Sequence, residues 1–228
     1  MAATRTPLSE SLPPFPHIRG PEDFARAFDV PRETVDKLET YASLLQAWQK
    51  AVNLVAPSTL NDIWHRHFAD SAQILSYSPD ARSWADLGSG GGFPGLVIAI
   101  LLANHENRCV HLIESNGRKC AFLSEVVRKT GAPAKVHQGR IEDIVASGAV
   151  GKADVVTSRA LAPLPALLGI ASGFFGENSI GLFLKGREAR QEIAEAEKDW
   201  RFDYECVPSR TGGDGNLVII RAPVEPAA

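Results

Sequence analysis

A carboxylate followed by glycines at alternate positions is the first stretch with the makings of chemistry: Asp86-Leu87-Gly88-Ser89-Gly90-Gly91-Gly92, closed by Phe93-Pro94-Gly95. Glycine accepts positive φ at little cost and lets a ligand approach the backbone itself, so the loop reads as a binding loop rather than a bare turn. A second carboxylate, Glu114, ends the run His111-Leu112-Ile113-Glu114. Beside such a loop, an acid at a strand end accepts hydrogen bonds from a ribose diol; the alternative is a solvated strand-end acid. Farther on, Gln138-Gly139-Arg140-Ile141-Glu142-Asp143 offers Ile141 to pack on a purine base, with Glu142 and backbone groups to address its exocyclic amine. Thr157-Ser158-Arg159-Ala160 then places an arginine at a strand's carboxyl end, where packing does not explain it. Arginine stays protonated and is no base, but its planar fork fixes a carboxylate, a phosphate or a carbonyl edge. Arg159 is therefore the candidate catalytic residue, acting by positioning.

These residues need a frame. Ser83–Leu102 reads as a short apolar strand, the glycine turn and a helix that is apolar almost all round, hence packed on both sides. A strand feeding a turn into a helix N-terminus makes a ligand site at the carboxyl edge of an open α/β sheet. Further strands are expected at Cys109–Ile113, Ala134–His137, Ala153–Thr157, Ser179–Leu184, Tyr204–Val207 and Asn216–Arg221. Helices are expected at about Phe93–Ala103, Gly117–Thr130, Pro163–Phe174 and Glu188–Asp199. Such alternation predicts a parallel, doubly covered sheet. The last two strands are joined by Pro208–Gly215, too short for a helix, so they should be antiparallel neighbours.

Before the sheet, Pro21–Phe28 suits a short helix. A longer one opens at Pro31, with Val35, Leu38, Ala42, Leu45, Trp48 and Val52 on one stripe. A third is expected from Thr59 to about Leu75, capped by Ser58. Its inward stripe carries His67, with Asp70 one turn later. A core histidine held by a local hydrogen bond is favoured there over a catalytic one. The domains expected are therefore a Pro-rich mobile tail over 1–20, a helical cap over 21–78 and an α/β domain over 79–228.

Two ligands compete for the loop. Gly90, Gly92 and Gly95 satisfy the dinucleotide spacing G-x-G-x-x-G, a weak signal alone. Asp86 with Gly88, Gly90 and Gly92 instead resembles the first motif of S-adenosylmethionine-dependent methyltransferases. There the acid would face a cationic amino-acid end, directly or through water; in a dinucleotide site it would face a pyrophosphate, which is unfavourable. A sheet that ends in an antiparallel hairpin also favours the methyltransferase variant of the doubly wound, Rossmann-like fold. At the fourth strand there is neither an Asn/Asp-Pro-Pro-aromatic motif nor a Pro-Cys nucleophile. The acceptor then needs neither amine-holding nor covalent activation, and guanine N7 qualifies, its lone pair carrying no proton.

The wider set of motifs narrows this further. It comprises Trp48-x-x-x-x-Asn53-Leu54, Arg66-His67-x-x-Asp70-Ser71, the glycine loop through Phe93-Pro94-Gly95, and Glu114-Ser115-x-x-Arg118-Lys119-x-x-Phe122-Leu123. Gly139-Arg140-Ile141-Glu142, Ser158-Arg159-Ala160 and Lys185-Gly186 complete it. Together they resemble the bacterial 16S ribosomal RNA guanine-N7 methyltransferases, the glucose-inhibited division protein B family, over about Val35 to Arg221. The resemblance implies a class I methyltransferase fold and methyl transfer from S-adenosylmethionine to N7 of a guanine in the decoding region of small-subunit rRNA, leaving S-adenosylhomocysteine. It implies Gly88, Phe93, Ile141, Glu142 and Arg159 as cofactor positions, beside Asp86, Gly90 and Glu114 from the reading above. Rivals are a small-molecule N- or O-methyltransferase and a non-catalytic nucleotide-binding regulator.

Composition is that of one modest enzyme. The 228 residues include three scattered cysteines without C-x-x-C spacing, so neither a disulfide framework nor a metal site is indicated. A cytoplasmic monomer is expected, with no signal peptide and no apolar run long enough to span a bilayer. Net charge is −3, unusual for an RNA enzyme, yet Arg108 to Arg140 holds seven Lys/Arg against Glu114 and Glu125. Arg118, Lys119 and Arg128 could form a phosphate-facing surface toward 16S rRNA or the 30S subunit; solvated helix faces are the alternative.

Overall fold

In the computed structural model, which describes residues 13–227, the chain builds one seven-stranded sheet in the order β3-β2-β1-β4-β5-β7-β6. The strands are β1 (Ser83–Leu87), β2 (Cys109–Glu114), β3 (Ala134–Gln138), β4 (Ala153–Arg159), β5 (Phe175–Lys185), β6 (Trp200–Pro208) and β7 (Asn216–Pro226). From β3 across to β5 all pairs are parallel; β7 runs antiparallel to both β5 and β6. The expected alternation and terminal antiparallel strand are thus present.

Period-two side chains split the core between the two faces of the sheet. Trp84, Val110, Leu112, Val155, Leu182, Leu217 and Ile219 face one layer, while Ala85, Leu87, Ile113, Val156, Phe183, Val218 and Ile220 face the other. The second face is covered by α6 (Ile141–Ser147), α7 (Leu164–Ala171) and α8 (Ala189–Asp199). The first is covered by α4 (Gly95–Leu101) and α5 (Gly117–Thr130), and over these lie α1 (Pro21–Phe28) and α2 (Arg32–Gln49). Helix α4 is sandwiched between sheet and cap, which explains why its sequence is apolar on every side. Helix α5 is amphipathic and starts at Asn116, whose side chain accepts from the amides of Arg118 and Lys119.

Two expectations are corrected here. Pro57–Tyr77 is not one regular helix: Pro57–Asp62 and Gln73–Tyr77 are tight 3₁₀ turns, Trp64–Ala69 is a wide π turn, and α3 (Asp70–Ala72) is a single α turn. Ser58 lies inside the first of these turns, whose N-cap is Ala56. Nor is the stretch up to Gly20 a free tail throughout. Ile18 is 1% exposed, Phe15 N–H donates to the Arg210 carbonyl at 2.7 Å, and the Arg210 guanidinium lies 3.7 Å above the Phe15 ring. Ile18 N–H donates to His65 Nδ1 at 3.2 Å, and His65 Nε2 sits 2.8 Å from the Thr211 carbonyl. An apolar side chain in a hydrophobic slot and matched backbone groups order this segment, which binds the cap to the β6–β7 loop. Residues 1–12 of the expected tail lie outside the described residues.

Candidate active site

The loop after β1 is held from every side. Ser89 N–H donates to the Ile113 carbonyl (3.0 Å), Gly90 N–H to Glu114 Oε2 (2.9 Å), Gly92 N–H to the Ser89 carbonyl (2.6 Å) and Gly95 N–H to Asp86 Oδ2 (3.2 Å). From the cap, Tyr41 donates its hydroxyl to the Gly91 carbonyl. At Gly90, φ is 55°, and a Cβ would meet no protein atom nearer than the Gly88 carbonyl at 3.6 Å. That position opens onto a cleft. At Gly91 a Cβ would come within 2.9 Å of the Leu54 carbonyl, so the cap can approach only glycine there. Gln49 fixes that neighbour, accepting from the amides of Leu54 and Val55 and donating to the Val55 carbonyl.

The cleft, about 670 Å³, lies at the carboxyl ends of β1, β2 and β4 and suits a small-molecule ligand. Its walls bring together Gly88, Gly90, Phe93, Glu114, Ile141, Glu142 and Arg159, nearly all the residues singled out from the sequence. Glu114 is 8% exposed; its oxygens accept from Gly90 and, at 2.8 Å, from Asn116, and each keeps a lone pair for a ligand hydroxyl. Ile141 opens α6 and is buried on the cleft wall.

Asp86 is placed differently from the expectation. It is fully buried beneath the loop, does not line the cleft, and holds the amide at the start of α4. A carboxylate just ahead of a helix N-terminus is drawn to its free amides, which leaves it behind the loop rather than in front of it. Its Oδ1 has no partner among the described residues, and burial lifts the carboxyl to about 7 against the bonds from Ser89 and Gly95.

A second cleft of about 1080 Å³ adjoins the first, sharing Thr59, His67, Arg159, Ala160 and Leu161 with it. Arg66 and Asp70 of the cap, Lys185–Arg187 at the end of β5 and just beyond it, Thr211–Gly215 of the β6–β7 loop and His17 also line it. Arg159, the last residue of β4, stands at the boundary. Its guanidinium lies 4.8 Å over the Phe93 ring and 3.6 Å from Asp70 Oδ2, and donates to the Arg66 carbonyl at 3.3 Å. Burial pulls its pKa down and Asp70 pushes it up; an arginine so placed stays charged.

The expected local pair of His67 with Asp70 is not what forms. His67 Nδ1 meets Arg159 Nη2 at 2.7 Å and Nε2 meets Thr59 Oγ1 at 2.7 Å, while the ring stacks on Phe93. Asp70 turns to the β6–β7 loop, accepting from Gln73, Ser209 and Thr211. Thr59, Tyr41 and Leu161 were not singled out by the sequence reading. Leu161, at 37%, is the exposed large apolar side chain among the described residues, and it packs beside Gly88. An apolar residue two places after Arg159 was its only signal.

The proposed basic surface is reduced. Arg128 forms a two-pronged pair with Glu125 at 2.7 and 2.9 Å, and Arg108 donates to the carbonyls of Pro79 and Ala81. Arg118 and Lys119 remain together at the opposite end of α5, with Lys119 on the first cleft's wall. Among the described residues, no helix is long and apolar enough to cross a membrane.

Comparison with known proteins agrees with this geometry. A family model described as rRNA small subunit methyltransferase G matches residues 34–217. A protein of that name from Rhodospirillum centenum is 50% identical over 212 residues, covering 92% of this chain and 94% of the relative. Another from Parvibaculum lavamentivorans is 48% identical over 207 residues, covering 90% and 91%. Among solved structures, an O-methyltransferase from Bacillus cereus, in complex with SAH, aligns with TM-score 0.60 at 13% identity over 87% of this chain and 96% of that one. One from Streptomyces achromogenes, in complex with SAM, gives TM-score 0.55 at 13% identity over 82% and 90%. At such identities the structural matches establish the fold: this is a class I, Rossmann-like methyltransferase fold.

Proposed function

The chain belongs to the rRNA small subunit methyltransferase G family, and from that premise we propose that it transfers a methyl group from S-adenosylmethionine to N7 of a guanine in the decoding region of 16S rRNA. The observation that carries the reading is the pair of clefts meeting at Arg159, Ala160 and Leu161: one for the cofactor, one for the target nucleotide.

The residues present fit the cofactor better than a dinucleotide. A pyrophosphate would need free loop amides, but those of Ser89, Gly90, Gly92 and Gly95 already bond within the protein. An uncharged ligand surface can pass over such a loop, and Gly90 leaves the space for it. Glu114 has acceptor capacity for a ribose diol, and Ile141 offers an apolar face to a base. When bound, the cofactor supplies an electrophilic methyl on a cationic sulfur. The chain's own work is then to orient and to exclude water. Arg159 bridges the clefts and supplies fixed donors for anionic or carbonyl oxygen on either side. No base is needed, because guanine N7 carries no proton; catalysis is mostly positioning.

Arg118 and Lys119 beside the first cleft, with the exposed Arg66 beside the second, are the surface proposed to meet RNA phosphates. We assign the protein to the cytoplasm, working as a monomer without a metal. Methyl transfer to purified 30S particles, naked 16S rRNA and a panel of small metabolites, followed by nucleoside mass analysis, tests the reading. Label in 7-methylguanosine from 16S rRNA is expected. Label confined to a metabolite, or to another atom of the base, would refute it.

A further inference from the structure

At the boundary between the clefts, hydrogen-bond donors and acceptors leave one arrangement open. Thr59 Oγ1 donates its single proton to the Ala56 carbonyl at 2.7 Å. Toward His67 Nε2, also at 2.7 Å, it can therefore only accept, so Nε2 carries the ring proton. On the far side a guanidinium only donates, so His67 Nδ1, 2.7 Å from Arg159 Nη2, is bare. Both ends dictate the same neutral tautomer. The ring is 7% exposed and packs against Phe93 with centroids 4.7 Å apart. The charged groups around it are Arg159, Arg66 and, across the guanidinium, Asp70. Burial and the two arginines hold the imidazole down to about 3, so it stays neutral wherever the protein works.

Resting on the function proposed above, we propose that His67 is the positioning residue of Arg159: its neutral imidazole, oriented by Thr59, locks the guanidinium at the junction of the two clefts. The Arg66 carbonyl and Asp70 each bind the other terminal nitrogen, at 3.3 and 3.6 Å. Without His67, Nη2 loses its 2.7 Å acceptor and the fork can rotate about its stem. A proton on Nδ1 would do the same by setting donor against donor.

The test uses full-length protein and 30S particles. His67→Phe keeps a flat ring on Phe93 and deletes both nitrogens, while His67→Asn keeps an acceptor on the Nδ1 side. His67→Phe is expected to lower kcat about tenfold or more with little change in KM for the particle. His67→Asn should recover most of that loss. If His67 acts through Arg159, the double variant His67→Phe/Arg159→Ala is no slower than Arg159→Ala alone. Nitrogen NMR of the free protein, which needs no turnover, should show a bare Nδ1 and a protonated Nε2 at neutral pH. Wild-type turnover in His67→Phe, additive losses in the double variant, or an Nδ1–H ring would each overturn the proposal. Should His67→Phe not fold, Thr59→Val carries the same test: it removes the acceptor that orients the ring through Nε2–H, a several-fold loss of kcat is expected, and full activity overturns the proposal. A wild-type protein that methylates no rRNA would sink the functional reading instead, and the NMR result would still decide the tautomer.

Discussion

Burial drives Asp86 and His67 in opposite directions, and the sign of each can be read in solution. Burial raises Asp86 to about 7 in the folded protein against 3.8 for a free carboxyl, so between those values the folded state holds the extra proton and stability falls as pH rises. His67 titrates at about 3 folded against 6.5, so the unfolded state holds the extra proton and stability rises with pH across that window. Where the windows overlap the two contributions oppose each other. Asp86→Asn, which keeps an acceptor for the Gly95 amide, should leave stability climbing more steeply between pH about 4 and 6.5 than in the wild type. Urea unfolding at several pH values measures this, and parallel slopes for the two proteins would refute the buried-acid assignment. At Gly90 the expected change is in binding. A β-branched residue at φ 55° is strained and projects into the cleft, so Gly90→Val should abolish binding of S-adenosylhomocysteine in calorimetry. Glu114→Gln keeps an acceptor for Gly90 but loses charge, and should weaken the same ligand by about 1–3 kcal/mol. Undiminished binding by either variant would remove that residue from the cofactor cleft.

Elements differ in how openly the sequence declares them. The strands and the helix α5 are legible in the sequence because period-two and period-3.6 patterns act locally. Helix α6 is silent in the sequence: its seven residues, Ile141–Ser147, are too few to display a period. The segment Pro57–Tyr77 shows the opposite failure, since its apolar stripe is real but its hydrogen-bond pattern changes along its length. What decides that pattern is tertiary: His65 bonds to the N-terminal segment and the β6–β7 loop, His67 to β4, and Asp70 to the β6–β7 loop. The same long-range bonding hid the order of residues 13–20, where prolines suppress any period. That segment carries a stability prediction. Ile18 is 1% exposed, so Ile18→Ala should cost about 2–4 kcal/mol in denaturant unfolding, whereas a free tail would give almost no change.

Across the whole molecule, a net charge of −3 must still meet an RNA. The clefts were foreshadowed in the sequence because strand ends, glycine loop and Arg159 fall at the sheet's carboxyl edge in any doubly wound fold. The matching of surface charges was not foreshadowed, because it depends on which acid each base finds. The exposed Arg128 is held by the half-buried Glu125, and a matched pair presents little field to a phosphate. Among the described residues, Arg118 and Lys119 pair with no acid on α5; their backbone amides bond to Asn116, and they sit about 15 Å from Arg128 by helical rise. Binding electrostatics should therefore divide along the helix. Arg118→Glu with Lys119→Glu should raise KM for 30S particles and reduce the slope of log affinity against log salt by about 1–2 units, the signature of lost phosphate contacts. Arg128→Ala should leave that slope near the wild-type value. Binding to 30S particles at a series of salt concentrations decides between them. Equal flattening by both variants would make the whole helix face the RNA surface. No flattening by either would move the contact to Arg66 and Arg187 around the second cleft, the proposed entry of the target nucleotide.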